Sequence, residues 1–137
     1  MESSSHLELC KLLKKDMDTA AKHQRQLFWE TGTTAFREFP HTAKISGFLP
    51  DLRVYSEDSL FCLIGDAKTN KDIDNKHTKS QLIAFLNNGN KYKYFALFLR
   101  VPQNCYHFCI HLVNGLGLPN LIKKKIYINN VLFEGII

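Results

Sequence analysis

The chain is short of chain breakers and of long apolar runs. Only four prolines and seven glycines are scattered over its 137 residues, with no Pro/Gly-rich linker, internal repeat or low-complexity tract. One domain, residues 1–137, is therefore expected. No apolar stretch approaches the roughly 20 residues of a membrane-spanning helix, so no membrane partner is expected. The four cysteines, Cys10, Cys62, Cys105 and Cys109, lack the spacing of a secreted disulfide framework, and Cys62 sits inside an apolar run as a small buried hydrophobe would. Met1-Glu2-Ser3-Ser4-Ser5 has neither a basic segment nor an apolar one behind it, so no signal peptide is visible. Together these features suggest a reduced, intracellular setting, cytoplasmic or nucleoid-associated. Acids are the minority charge, 13 against 18 lysines and arginines, for a net +5. That favours polyanionic partners, although charge alone is mild support.

What is present is an ordinary globular composition, 45% hydrophobic, with readable periodicity. Ser5-His6-Leu7-Glu8 fits a capping box, with Ser5 as N-cap and Glu8 at the third helical position. Leu9, Leu12, Leu13 and Met17 continue it at helical spacing. A further helical stretch is expected from Ala20 to Trp29, stopping near Gly32. Strands are expected over Ala35 to His41, Phe48 to Tyr55 and Ser59 to Lys68, with the polar turn Ser56-Glu57-Asp58 between the last two. Ser80 to Asn88 reads as a helix and Lys93 to Val101 as a strand. Cys105 to Val113 fits either period, and Asn104 and Gly115 as terminators favour helix. Ile122 to Phe133 supplies the last strands. The order, α-β-β-β-α-β-(α)-β, implies an α/β protein with a mixed sheet covered by helices.

The chemistry is concentrated in Pro50-Asp51 and Asp66-Ala67-Lys68. Fourteen residues separate the two aspartates, and the apolar run Leu60-Phe61-Cys62-Leu63-Ile64 leads into the second. On a strand, residues i and i+2 share a face, so Asp66 and Lys68 project together where that strand leaves the core. An Asp on the neighbouring strand could meet them there. Two carboxylates and an ammonium are what metal-assisted phosphodiester hydrolysis requires.

These residues resemble the PD-(D/E)xK nuclease superfamily. The likeness rests on Pro50-Asp51, the gap, Asp66-Ala67-Lys68 at a buried strand end, and the αβββαβ order of that superfamily's restriction-endonuclease-like core. Gln81-Leu82-Ile83-Ala84-Phe85 is similar to the Gln-containing helix motif of the RecB-like and phage-exonuclease-like branches, with Phe85 where Tyr is more usual. The resemblance covers roughly residues 20 to 101. Short members of the superfamily include Holliday-junction resolvases, repair nucleases and restriction enzymes.

The resemblance implies a Mg²⁺-dependent endonuclease acting on DNA. Asp51, Asp66 and the backbone carbonyl of Ala67 would be metal ligands. Mn²⁺ would substitute, since it too favours oxygen ligands. Lys68 would position the attacking water, and Gln81 would hydrogen-bond the water, Lys68 or a phosphate. Lys71, Lys76 and Lys79, beside the expected site, would hold phosphates flanking the cut. A homodimer would suit a chain this small if both strands are cut. The superfamily often adds a Glu from the first helix; Glu8, Glu30 and Glu38 are the candidates here.

Other readings temper these expectations. A decayed nuclease fold would bind nucleic acid, or serve in assembly, without cutting. An RNA endonuclease is a further alternative, although no base-stacking motif is present. A second Asp-x-Lys, Asp74-Asn75-Lys76, lies in a polar loop with no apolar strand before it and shows how easily the tripeptide arises. Gln81 could equally be a solvated first-turn residue. Cys105, His107, Cys109 and His111 invite a zinc reading. Four ligands this close on one element cannot wrap one tetrahedral ion, so buried cysteines with exposed histidines are expected. The Lys123–Lys125 run reads as a solvated loop.

Overall fold

A computed structural model describes residues 3–73 and 76–134. Helix α1 (Ser4–Ala21) is followed by strands β1 (Leu27–Thr31), β2 (Leu52–Ser56) and β3 (Phe61–Ala67). Helix α2 (Lys76–Asn88) leads to β4 (Tyr94–Arg100), helix α3 (Tyr106–Asn114), the single turn α4 (Leu118–Leu121) and strands β5 (Lys125–Ile128) and β6 (Val131–Leu132). The six strands form one mixed sheet in sequence order. The outer pairs and β2–β3 are antiparallel, whereas β3–β4 and β4–β5 are parallel. Parallel neighbours need crossovers, and α2 and α3 supply them.

Both faces of the sheet are covered. Leu9, Cys10, Leu13 and Met17 of α1 pack on Leu52, Val54, Leu63, Ala96 and Phe98. On the other face Leu82, Phe85 and Leu86 of α2, with Cys109, Leu112 and Val113 of α3, pack on Cys62, Ile64, Leu97 and Ile126. The run from Phe61 to Ala67 is therefore buried without a break, as a central strand between two helical layers must be. At Gly65 a Cβ would lie 2.4 Å from Met17 Sδ. The missing side chain is what lets α1 settle onto β3. No helix among the described residues is long and apolar enough to cross a membrane.

Several expectations are corrected. The N-cap of α1 is Ser3, whose hydroxyl accepts from the His6 N–H at 3.1 Å; the capping box on Ser5 does not form. The helix stops at Ala21, and the stretch expected to prolong it to Trp29 turns through Gln26 (φ 55°) into β1. Leu27 and Trp29 pack toward α1, so period two prevails over helix propensity there. The segment from Ala35 to His41 is not a strand of the sheet. It is a 3₁₀ turn (Thr34–Phe36) capped by Thr33, followed by irregular chain. Phe36 and Phe39 stack on each other, and Phe39 on Trp29, so their bulk closes the end of a core. The helical reading of the Cys105 region holds, with Cys105 and Cys109 buried and His107 and His111 exposed. Asp74 and Asn75 lie outside the described residues.

Candidate active site

The site is built where β3 ends. In the β2–β3 pair Leu52 faces Gly65, and one further step of that register sets Asp51 opposite Asp66. Directly opposed residues of an antiparallel pair bring their side chains within reach of each other. Asp51 is pinned by its own backbone: its carbonyl accepts from the Gly32 N–H and the Thr31 hydroxyl, both at 3.0 Å. Gly32 is required for this closure, because a Cβ there would stand 2.2 Å from the Pro50 carbonyl oxygen. The Asp51 carboxylate accepts from the Ala67 N–H at 2.8 Å and so is tied to the strand that carries Asp66.

Asp66 is 2% exposed. Burial, reinforced by the negative charge of Asp51 and opposed by Lys68, pushes its carboxyl up to about 8. Lys68 Nζ lies 2.9 Å from Asp66 Oδ2, yet this oxygen has no well-aligned hydrogen-bond donor among the described residues. The contact is a close approach without the alignment of a hydrogen bond. Burial disfavours the Lys68 ammonium, but Asp66, and behind it Asp51, outweigh this and hold it above its ordinary value. The arrangement has two carboxylates forced together, one ammonium beside them and one buried oxygen left open. Such a set suits a hard, oxygen-coordinated cation.

Gln81 is buried on α2, over the face toward which strand alternation directs Asp66, and its Oε1 has no partner among the described residues. Lys71 is exposed and lines a depression with Ser3, Ser5, Thr69, Asn70 and Pro102, beside the N-terminus of α1. Lys76 opens α2 and is exposed. Lys79 is not brought to this edge: it lines a separate depression with His111, Leu112, Asn114 and Gly115 at the end of α3.

None of the three glutamates is placed to complete a metal site. Glu8 is exposed and 3.5 Å from Lys11. Glu30 is engaged by the Thr42 hydroxyl (3.1 Å), Arg53 (3.0 Å) and the Tyr55 hydroxyl (3.0 Å). Glu38 is exposed beyond the 3₁₀ turn. The α1 residue that does reach the site is His6, whose Nε2 lies 3.2 Å from Asp51 Oδ2. Its hydrogen bond with Asp51, and then its contact with Cys10, push the imidazole up to about 11. Sequence reasoning missed His6 by reading it as the interior of a capping box. The overlooked signal was its spacing from Cys10, four residues along one helix face that turns out to meet Asp51.

Comparison of the chain with protein-family models, curated proteins and solved structures finds no significant match.

Proposed function

We propose that this protein is a Mg²⁺-dependent endonuclease that hydrolyses DNA phosphodiester bonds, built on the PD-(D/E)xK plan. The mixed sheet with its α1–β1–β2–β3–α2–β4 order is compatible with that plan. The observation that carries the reading is the convergence of Asp51 and Asp66, with a buried Asp66 oxygen lacking an aligned donor and Lys68 Nζ 2.9 Å from it. A structural carboxylate would have its lone pairs filled at this depth.

The donor set fits Mg²⁺: Asp51 and Asp66 would hold it, joined by the Ala67 carbonyl and by water, and Mn²⁺ would substitute. When bound, the ion supplies Lewis-acid polarisation of the phosphate and acidifies the attacking water. The remaining work belongs to the chain. Ala67 fixes the Asp51 carboxylate through its N–H. Lys68, held by Asp66, orients the water and stabilises charge gathering on the phosphate. The Gln81 carbonyl oxygen would accept a hydrogen bond from that water. As the water oxygen bonds to phosphorus it would release a proton to solvent, while the bond to the leaving sugar oxygen breaks and that oxygen takes up a proton from solvent, with no covalent intermediate on the protein. Lys71, and Lys76 at the start of α2, would meet flanking phosphates, and a homodimer would present two such edges.

The test is incubation with circular, linear and branched DNA, and with RNA, in Mg²⁺, Mn²⁺ or EDTA. The expected result is nicking of circular DNA in either metal, none in EDTA, and none with Asp66→Asn. Preference for RNA would change the substrate. Binding without metal-dependent cutting would replace the enzyme with a nucleic-acid-binding or assembly module.

A further inference from the structure

We propose that His6, Cys10 and Asp51 form a second metal site, selective for a zinc-class ion, that shares Asp51 with the carboxylate pair. Ligand atoms of these three residues all lie within 4.8 Å of one another, the one such group among the described residues. A tetrahedral zinc site with ordinary bond lengths separates nitrogen from oxygen ligands by about 3.3 Å and nitrogen from sulfur by about 3.6 Å. Here Nε2 of His6 is 3.2 Å from Asp51 Oδ2, and Sγ of Cys10 is 3.9 Å from each ring nitrogen. Because Sγ is equidistant from the two ring nitrogens, ligation through Nε2 requires the His6 imidazole to turn until that nitrogen points between Sγ and Oδ2.

The scaffold is suited to hold that geometry. His6 and Cys10 lie four residues apart on α1 and so share a face. Cys10 is fully buried between Leu9 and Leu13, which anchor the helix to the sheet. Asp51 is fixed from the opposite side by the Ala67 N–H. The donors decide the metal. An imidazole and a thiolate beside one carboxylate are a poor cage for Mg²⁺ or Ca²⁺ and a good one for Zn²⁺ or Co²⁺. Three protein ligands leave a fourth position for water or a phosphate oxygen. Ligation replaces the Cys10 thiol proton and the Nε2 proton of His6, and both leave to solvent.

The consequence is competition. An ion held by this trio takes up a carboxylate that the nuclease reading assigns to Mg²⁺, so zinc-class ions should inhibit Mg²⁺-dependent cleavage. That consequence rests on the nuclease reading, whereas the site itself does not.

Titration of the full metal-free chain with Co²⁺ tests it. One equivalent should produce near-ultraviolet thiolate-to-cobalt absorption, and Zn²⁺ should abolish it. Cys10→Ser should lose the band, while Cys105→Ser, Cys109→Ser and Asp66→Asn should keep it. His6→Gln, at a partly exposed position, should weaken Co²⁺ binding at least tenfold and guards against misfolding of the buried Cys10 variant. Absence of the band in the wild-type chain, or its survival in Cys10→Ser, would overturn the proposal. Failure of the nuclease reading would instead appear as no cleavage in Mg²⁺ with the cobalt band intact.

Discussion

Two buried acid–base pairs lie on opposite faces of this sheet, and they are built differently. On the α1 face, Asp16 of α1 receives Arg100 of β4 through two aligned hydrogen bonds, Nε to Oδ2 at 2.6 Å and a terminal nitrogen to Oδ1 at 2.9 Å. Both oxygens are filled. On the other face, Asp66 meets Lys68 at 2.9 Å without an aligned hydrogen bond, and Asp51 stands beside it. The first pair fastens a helix to a strand through a planar two-pronged contact, the geometry to which arginine is suited. The second sets a lysine amine beside a carboxyl with one oxygen lacking an aligned donor. Burial is common to both, so burial alone does not mark a reactive acid. What separates the pairs is that both Asp16 oxygens are filled, whereas one Asp66 oxygen has no aligned donor among the described residues.

The contrast can be broken most forcefully at the carboxylate site. Asp51→Ala, Asp66→Ala and Lys68→Ala should each lower nicking of circular DNA by about a hundredfold to a thousandfold or more, with unchanged far-ultraviolet circular dichroism. Cleavage retained in all three would erase the difference between the pairs. At the other pair, Arg100→Ala leaves Asp16 buried without its partner and should destabilise the fold by about 3 kcal/mol or more. Urea unfolding reads this, and cleavage per folded molecule should barely change.

Asp66→Asn should act in the opposite direction on stability. In the unfolded chain this carboxyl ionises near 3.8, whereas in the folded, metal-free chain it holds its proton to about 8. Between those values the unfolded state binds fewer protons, so the contribution of Asp66 to stability falls as pH rises. Thermal melts should show the variant gaining on the wild type from pH 4 to pH 8, and Mg²⁺ should narrow the gap. A variant that loses stability throughout would make Asp66 a structural acid like Asp16. The smallest effect is expected at Gln81: Gln81→Ala removes one hydrogen-bonding group, worth about 1 kcal/mol. Cleavage should fall roughly fivefold to tenfold, with little change in Mg²⁺ dependence.

The readable parts of the sequence were those whose pattern is local. Leu60 to Ile64 announced a buried strand because a strand covered on both faces needs no polar alternation, and the polar turn before it announced the antiparallel partner. The β1 assignment failed for an equally local reason. Leu27 and Trp29 fit a strand, but the aromatic pair Phe36 and Phe39 drew the assignment downstream, although their rings serve to stack at the edge of the core. The depth of Gln81 was not legible either, since its burial depends on how α2 crosses the sheet.

From the amino-acid order alone came the α/β class, the central strand and the side-by-side placement of Asp66 and Lys68, because each depends on repeats of two or about four residues. Only the folded chain set Asp51 opposite Asp66, separated Lys79 from Lys71, committed Glu30 to Arg53 and Tyr55, and brought His6 and Cys10 to Asp51. Those meetings join residues tens of positions apart, and strand register and helix docking, which no local pattern encodes, decide them.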